Sequence, residues 1–181
     1  MTSPLSFFTE TYGEASAQFL RCALERDSSI EVIPHLSGLT TDVATIERSG
    51  RNWLVVDSGL HGIEGFAGNA LQCYLLSEIV PRFPGWNFMF LHAINPYGMN
   101  ASLRTNEGNV DLNRNIHRGD FTPAHNPGYN DVNNFLNPLG RYSREHRGEV
   151  VKMFAQYQPL ELVTIIASGQ SSFPEGLFYG G

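Results

Sequence analysis

The chain has 181 residues, 41% hydrophobic and 17% charged, a globular balance with enough apolar residues for one buried core. Its formal net charge of −6 excludes a broadly basic face, so no nucleic-acid partner is expected. No run of eighteen apolar residues occurs and Met1-Thr2-Ser3-Pro4-Leu5 lacks a basic-then-apolar leader, so no membrane association is expected and the expected location is cytoplasmic.

Phe7, Phe8, Tyr12, Ala15, Phe19, Leu20 and Leu24 recur at helical spacing and predict an amphipathic helix over 5–26. Residues 30–35 and 43–48 read as two short strands joined by a turn around Gly38. Residues 52–57 read as a buried strand, and 64–80 as a helix ended by Pro81. Pro84-Gly85 marks a turn before a second buried strand, Trp86 to Ile94, which Asn95-Pro96 stops. Gly119 to Gly140, rich in Asn, Pro and Gly, reads as a long loop. Residues 143–157 read as a helix, and Leu162 to Ala167 as a final β-branched strand. Cys22 and Cys73 fall in helical segments and read as small buried thiols, in keeping with a reducing compartment.

Strands alternating with helices after residue 50 predict an α/β fold, a mixed, mostly parallel sheet flanked by helices, with the early strand pair as its antiparallel edge. The segments 58–64, 92–98 and 168–173 each follow a predicted strand. In an open α/β sheet they would converge on one edge, where ligands gather.

The first of these segments is Ser58-Gly59-Leu60-His61-Gly62-Ile63-Glu64-Gly65. A His from the loop and a Glu from the first helical turn can ligate one metal ion, and zinc favours such nitrogen and oxygen donors. The spacing alone also fits a loop histidine and a first-turn glutamate favoured by the helix dipole. Downstream, Arg104 precedes Asn109-Val110-Asp111-Leu112-Asn113-Arg114-Asn115. Guanidinium groups and amides in a loop can hold a carboxylate through paired hydrogen bonds. They equally suit structural ion pairs and turns.

Taken in order, Gly59–Gly65, Asn95-Pro96-Tyr97-Gly98, Asn109–Asn115 and Pro174–Gly181 resemble the zinc carboxypeptidase superfamily, with the aspartoacylase-like deacylases as more distant relatives. The nearest likeness is to an uncharacterised bacterial carboxypeptidase-like branch. The resemblance implies a carboxypeptidase-like fold and zinc as cofactor, with His61 and Glu64 as the first two ligands. It gives Arg104 the role of polarising the scissile carbonyl, and Asn113 and Arg114 the grip on the substrate's carboxylate. The implied substrates are small peptides or N-acyl amino acids, cleaved at an amide beside a free carboxylate.

The sequence departs from that pattern twice. The resemblance places the third zinc ligand, a His, where Phe173 stands, and no His follows His146. The family's general base, a Glu on a later strand, has no counterpart before Gly181. Residues 1–181 therefore read as a single domain forming the front part of a longer fold. These departures leave a second reading open, a non-catalytic carboxylate-binding remnant. They also leave a third: an unfinished sheet whose open edge invites self-association. His92 reads as a strand-end residue beside the site or in the core. His117 and His125 flank the predicted loop.

Overall fold

The computed structural model describes residues 4–108, 110–114, 127–136 and 143–168. The backbone gathers into two compact units, Met1–Glu107 and Gly108–Gly181.

The first unit opens with a single 3-10 turn, Pro4–Phe7, and then α1, Tyr12–Leu24. The helix starts later than its apolar spacing predicts, because Thr11 and Glu14 form a capping box. The Thr11 hydroxyl accepts from the Glu14 N–H at 3.2 Å, and the Glu14 carboxylate accepts from the Thr11 N–H at 3.2 Å. Strands β1 (Ser29–Pro34) and β2 (Thr40–Ile46) form an antiparallel hairpin. Its turn needs Gly38, whose φ of 77° suits glycine. Strand β3 (Trp53–Asp57) leads to α2 (Gly65–Tyr74), which continues through a π-helical turn, Leu75–Ile79, and a 3-10 turn, Val80–Arg82. Strand β4 (Asn87–His92) returns to the sheet, followed by the short α3 (Pro96–Ala101).

The sheet order is β1-β2-β4-β3. The α/β class and the mixed sheet are as the sequence predicts. The parallel share is smaller: β1–β2 and β2–β4 are antiparallel, and β3–β4 is parallel. One face of β2 and β4 supplies Ala44, Ile46, Phe88 and Phe90 to the core. There they meet Phe19, Cys22 and Ala23 of α1, and Cys73, Leu76 and Val80 of the α2 region. Burial at this scale is the main source of stability. Strand β3 does not have the buried environment that its apolar run predicts. It lies at the sheet edge among the described residues, with Trp53 45%, Leu54 38% and Val55 59% exposed.

In the second unit, α4 (Pro127–Leu136), α5 (Arg144–Gln156) and α6 (Pro159–Ser168) pack around Tyr129, Val132, Met153 and Leu162. Two expectations are corrected here. The predicted loop 119–140 contains the helix α4, and the predicted strand 162–167 is the body of α6. Short apolar runs fit either element by periodicity, and here Leu162, Ile165 and Ile166 share one helical face toward Tyr129 and Met153. The helix over 143–157 matches, capped by the Ser143 hydroxyl accepting from the His146 N–H. Among the described residues no helix is long and apolar enough to cross a membrane.

Candidate functional site

Because β3 and β4 are adjacent and parallel, their carboxyl ends open side by side. Pairing continues past both strands. Ile94 N–H donates to the Ser58 carbonyl and Asn95 N–H to the Gly59 carbonyl, each at 2.9 Å. A buried polar bridge from α2 fixes the separation of the strands. The Gln72 side-chain amide donates to the carbonyls of Val56 and Leu91, both at 3.0 Å, and its oxygen accepts from the Ser58 hydroxyl at 2.9 Å. Gln72 is fully buried, so each of these bonds avoids the cost of an unsatisfied polar group.

The chain then turns at Gly59 (φ 68°) and reaches His61, the residue that precedes the 3-10 turn Gly62–Glu64 running into α2. His61 and Glu64 thus sit where a loop becomes a helix, and their side chains meet. His61 Nδ1 lies 3.4 Å from each Glu64 carboxylate oxygen. That is long for a charge-assisted hydrogen bond, which settles near about 2.8 Å. It matches the spacing of about 3.4 Å between two donors bound tetrahedrally to one zinc at about 2.0–2.2 Å. The His61 side chain is 11% exposed and that of Glu64 68%, so the carboxylate faces solvent while the imidazole is held. As a donor set the two residues fit two corners of a zinc site. Among the described residues no cluster of three His, Cys, Asp or Glu forms around them.

Glycine lets the turn that carries this pair approach its neighbour closely. A Cβ on Gly62 would collide with the backbone of Gly98 and Met99, so the His61–Glu64 turn and α3 pack main chain to main chain. Asn95-Pro96-Tyr97-Gly98 provides the other side of that contact. The buried Asn95 side chain accepts from Gly98 N–H at 2.9 Å, capping α3, and its amide donates to the Arg104 carbonyl at 3.5 Å. Ile63 N–H donates to the Leu103 carbonyl at 3.1 Å, so the backbone of Arg104 begins one residue from the His61–Glu64 turn. Arg104 itself is exposed.

Asn113 and Arg114 belong to the second unit, in a 3-10 turn Leu112–Arg114. The buried Asp111 organises it: its side chain accepts from Asn113 N–H at 3.0 Å and its carbonyl from Arg114 N–H at 2.9 Å. Both following side chains are exposed. His117, His125 and the segment 169–173 with Phe173 lie outside the described residues.

A family profile described as "Protein of unknown function (DUF2817)" matches residues 8–181. The chain belongs to the DUF2817 family. The DUF2817 match covers all four segments that carry the resemblance read from the sequence. No curated protein matches the chain. Two parts of the site escape sequence reading, the Gln72 bridge and the anchoring role of Asn95. Gln72 carries no mark in an apolar helix. Asn95 could have been found, since Asn followed by Pro is a helix-start signal.

Proposed function

We propose that this DUF2817 chain is a zinc-dependent hydrolase of the carboxypeptidase type, cleaving an amide bond beside a free carboxylate in small peptides or N-acyl amino acids. The observation that carries the reading is the 3.4 Å approach of His61 Nδ1 to the Glu64 carboxylate, on a turn locked by Gly62. The mixed sheet then belongs to a carboxypeptidase-like fold, and the zinc carboxypeptidase superfamily is the wider group. His61 and Glu64 hold zinc, whose chemistry when bound is carbonyl polarisation and a water acidic near pH ~7. Arg104 sets its guanidinium against the charge that develops on the carbonyl oxygen. Asn113 and Arg114 are the residues for a terminal carboxylate. The free, buried Cys22 and Cys73 accord with a cytoplasmic location.

One observation favours a second reading: Phe173 stands where the resemblance expects the third ligand. In that case the chain binds carboxylates without turning them over. Assays of zinc-loaded protein on N-acyl amino acids and C-terminal peptides decide between them. The first reading predicts turnover that Arg104→Ala lowers by about 10²–10³-fold. No turnover, with calorimetric binding of small carboxylates that Arg114→Ala abolishes, would establish the second instead.

A further inference from the structure

Helices α1 and α2 lie side by side in one register. Gln18 and Asn69 are 51 residues apart in sequence, and the Asn69 side-chain amide donates to the Gln18 side-chain oxygen at 3.1 Å. Two turns further along, just past the end of α1, the Arg26 guanidinium donates to the Ser77 carbonyl at 3.0 Å, again across 51 residues, and to the Leu76 carbonyl at 2.8 Å. Midway between these contacts, one turn on from Gln18 and from Asn69, stand Cys22 and Cys73. Side chains one turn apart share a helix face, so the two cysteines face each other.

Both belong to the same buried core cluster. Their thiols hydrogen-bond to one another, and Cys73 Sγ also lies 3.6 Å from Asn69 Oδ1. Helix axes packed at about 8–10 Å, each with a backbone radius of about 2.3 Å, leave facing Cα atoms about 3.4–5.4 Å apart. That span overlaps the range of about 4.4–6.8 Å that a disulfide takes.

The two thiols are not equivalent. Cys73 is fully buried, whereas Cys22 is 5% exposed. The hydrogen bond from Cys73, with the Ser77 hydroxyl and Arg21 adding to it against burial, pulls the Cys22 thiol down to about 7. The same bond, together with burial, pushes the Cys73 thiol up. A thiolate with a second thiol in contact is the arrangement of redox-sensing cysteines, whereas an isolated buried cysteine is inert.

We propose that Cys22 and Cys73 are a redox modification site, which hydrogen peroxide closes into a disulfide joining α1 to α2. The slight exposure of Cys22 admits a molecule of that size and not a bulky disulfide reagent. The Cys22 thiolate attacks one peroxide oxygen, the O–O bond breaks, and the departing hydroxide takes up the proton that Cys22 gave, leaving as water. Cys73 sulfur then attacks the resulting Cys22 sulfenic acid. The S–S bond forms, the S–O bond breaks, and the hydroxyl leaves as a second water with the Cys73 proton. The sulfurs together lose two electrons and the peroxide gains them.

The test uses the full chain, purified reduced and then exposed to hydrogen peroxide. Thiols titrated after denaturation should fall from two per chain to none, and dithiothreitol should restore both. Trypsin should release Cys22–Arg26 joined to Asn52–Arg82, peptides that separate in the reduced chain. The oxidised chain should melt at a higher temperature, because the cross-link restricts the unfolded state. Cys73→Ser should stop at a Cys22 sulfenic acid, trapped by a cyclic dione. The linked peptide from the unaltered chain decides the matter even if that variant does not fold. Two thiols still titratable after peroxide, sulfinic acid on either cysteine without the linked peptide, or a disulfide formed only between chains would overturn the proposal.

Discussion

His92, the last residue of β4, is fully buried with its ring stacked on Phe19 at 4.9 Å and near Tyr12 at 6.5 Å. Neither ring nitrogen has a hydrogen-bond partner. Burial holds its pKa down from the ordinary 6.5 to about 4, only partly offset by the Asp42 carboxylate across the β2–β4 pair. The folded state therefore keeps His92 neutral, while the unfolded chain takes up a proton below pH 6.5. Stability is fully present above that value and is lost as pH falls toward 4, by about 3 kcal/mol. Denaturant titrations across that window should show the slope, and His92→Leu should flatten it. Gly62 sets a second residue-level expectation. Gly62→Ala forces the turn off α3, and should cost about 3 kcal/mol in chemical denaturation, with zinc affinity falling alongside. The His61–Glu64 pair was legible because glycines and both donors crowd one short segment. His92 was not, since a strand-end His reads the same whether it faces a site or a core.

At the scale of elements, the strands of the first unit were legible because β-branched runs ended at Gly and Asn-Pro signals. Their environments were not: the run 53–56 names a strand, but only the sheet order makes it an edge. The second unit was misread for a different reason. Pro127 and Pro159 open α4 and α6 at positions where proline favours a helix start, but the Asn-rich and β-branched residues that follow weigh locally toward loop and strand. Tertiary packing of Tyr129, Val132 and Leu162 on one another settles both as helices. The capping box of α1 was readable as Thr11-x-x-Glu14 and corrects the start of that helix. Thr11→Ala removes a cap and should lower stability by about 1 kcal/mol in thermal or denaturant unfolding, without moving zinc binding.

At the scale of the molecule, the parallel β3–β4 pair brings two of the three predicted motif segments to one sheet edge, and the glycine contact at Gly62 and Gly98 locks them together. The third segment follows α6 rather than a strand, and its residues from 169 on lie outside the described ones. Hydrolysis of the proposed kind requires that the His61–Glu64 pair hold zinc. The direct measurement is metal content of the purified full chain by elemental analysis, with zinc affinity by competition against a chromophoric chelator, for the unaltered chain, His61→Ala and Glu64→Ala. Close to one zinc per chain is expected, with each substitution weakening affinity at least about 10-fold while the fold is retained by circular dichroism. Zinc-free protein that cannot be loaded, or zinc bound equally by all three chains, would contradict it.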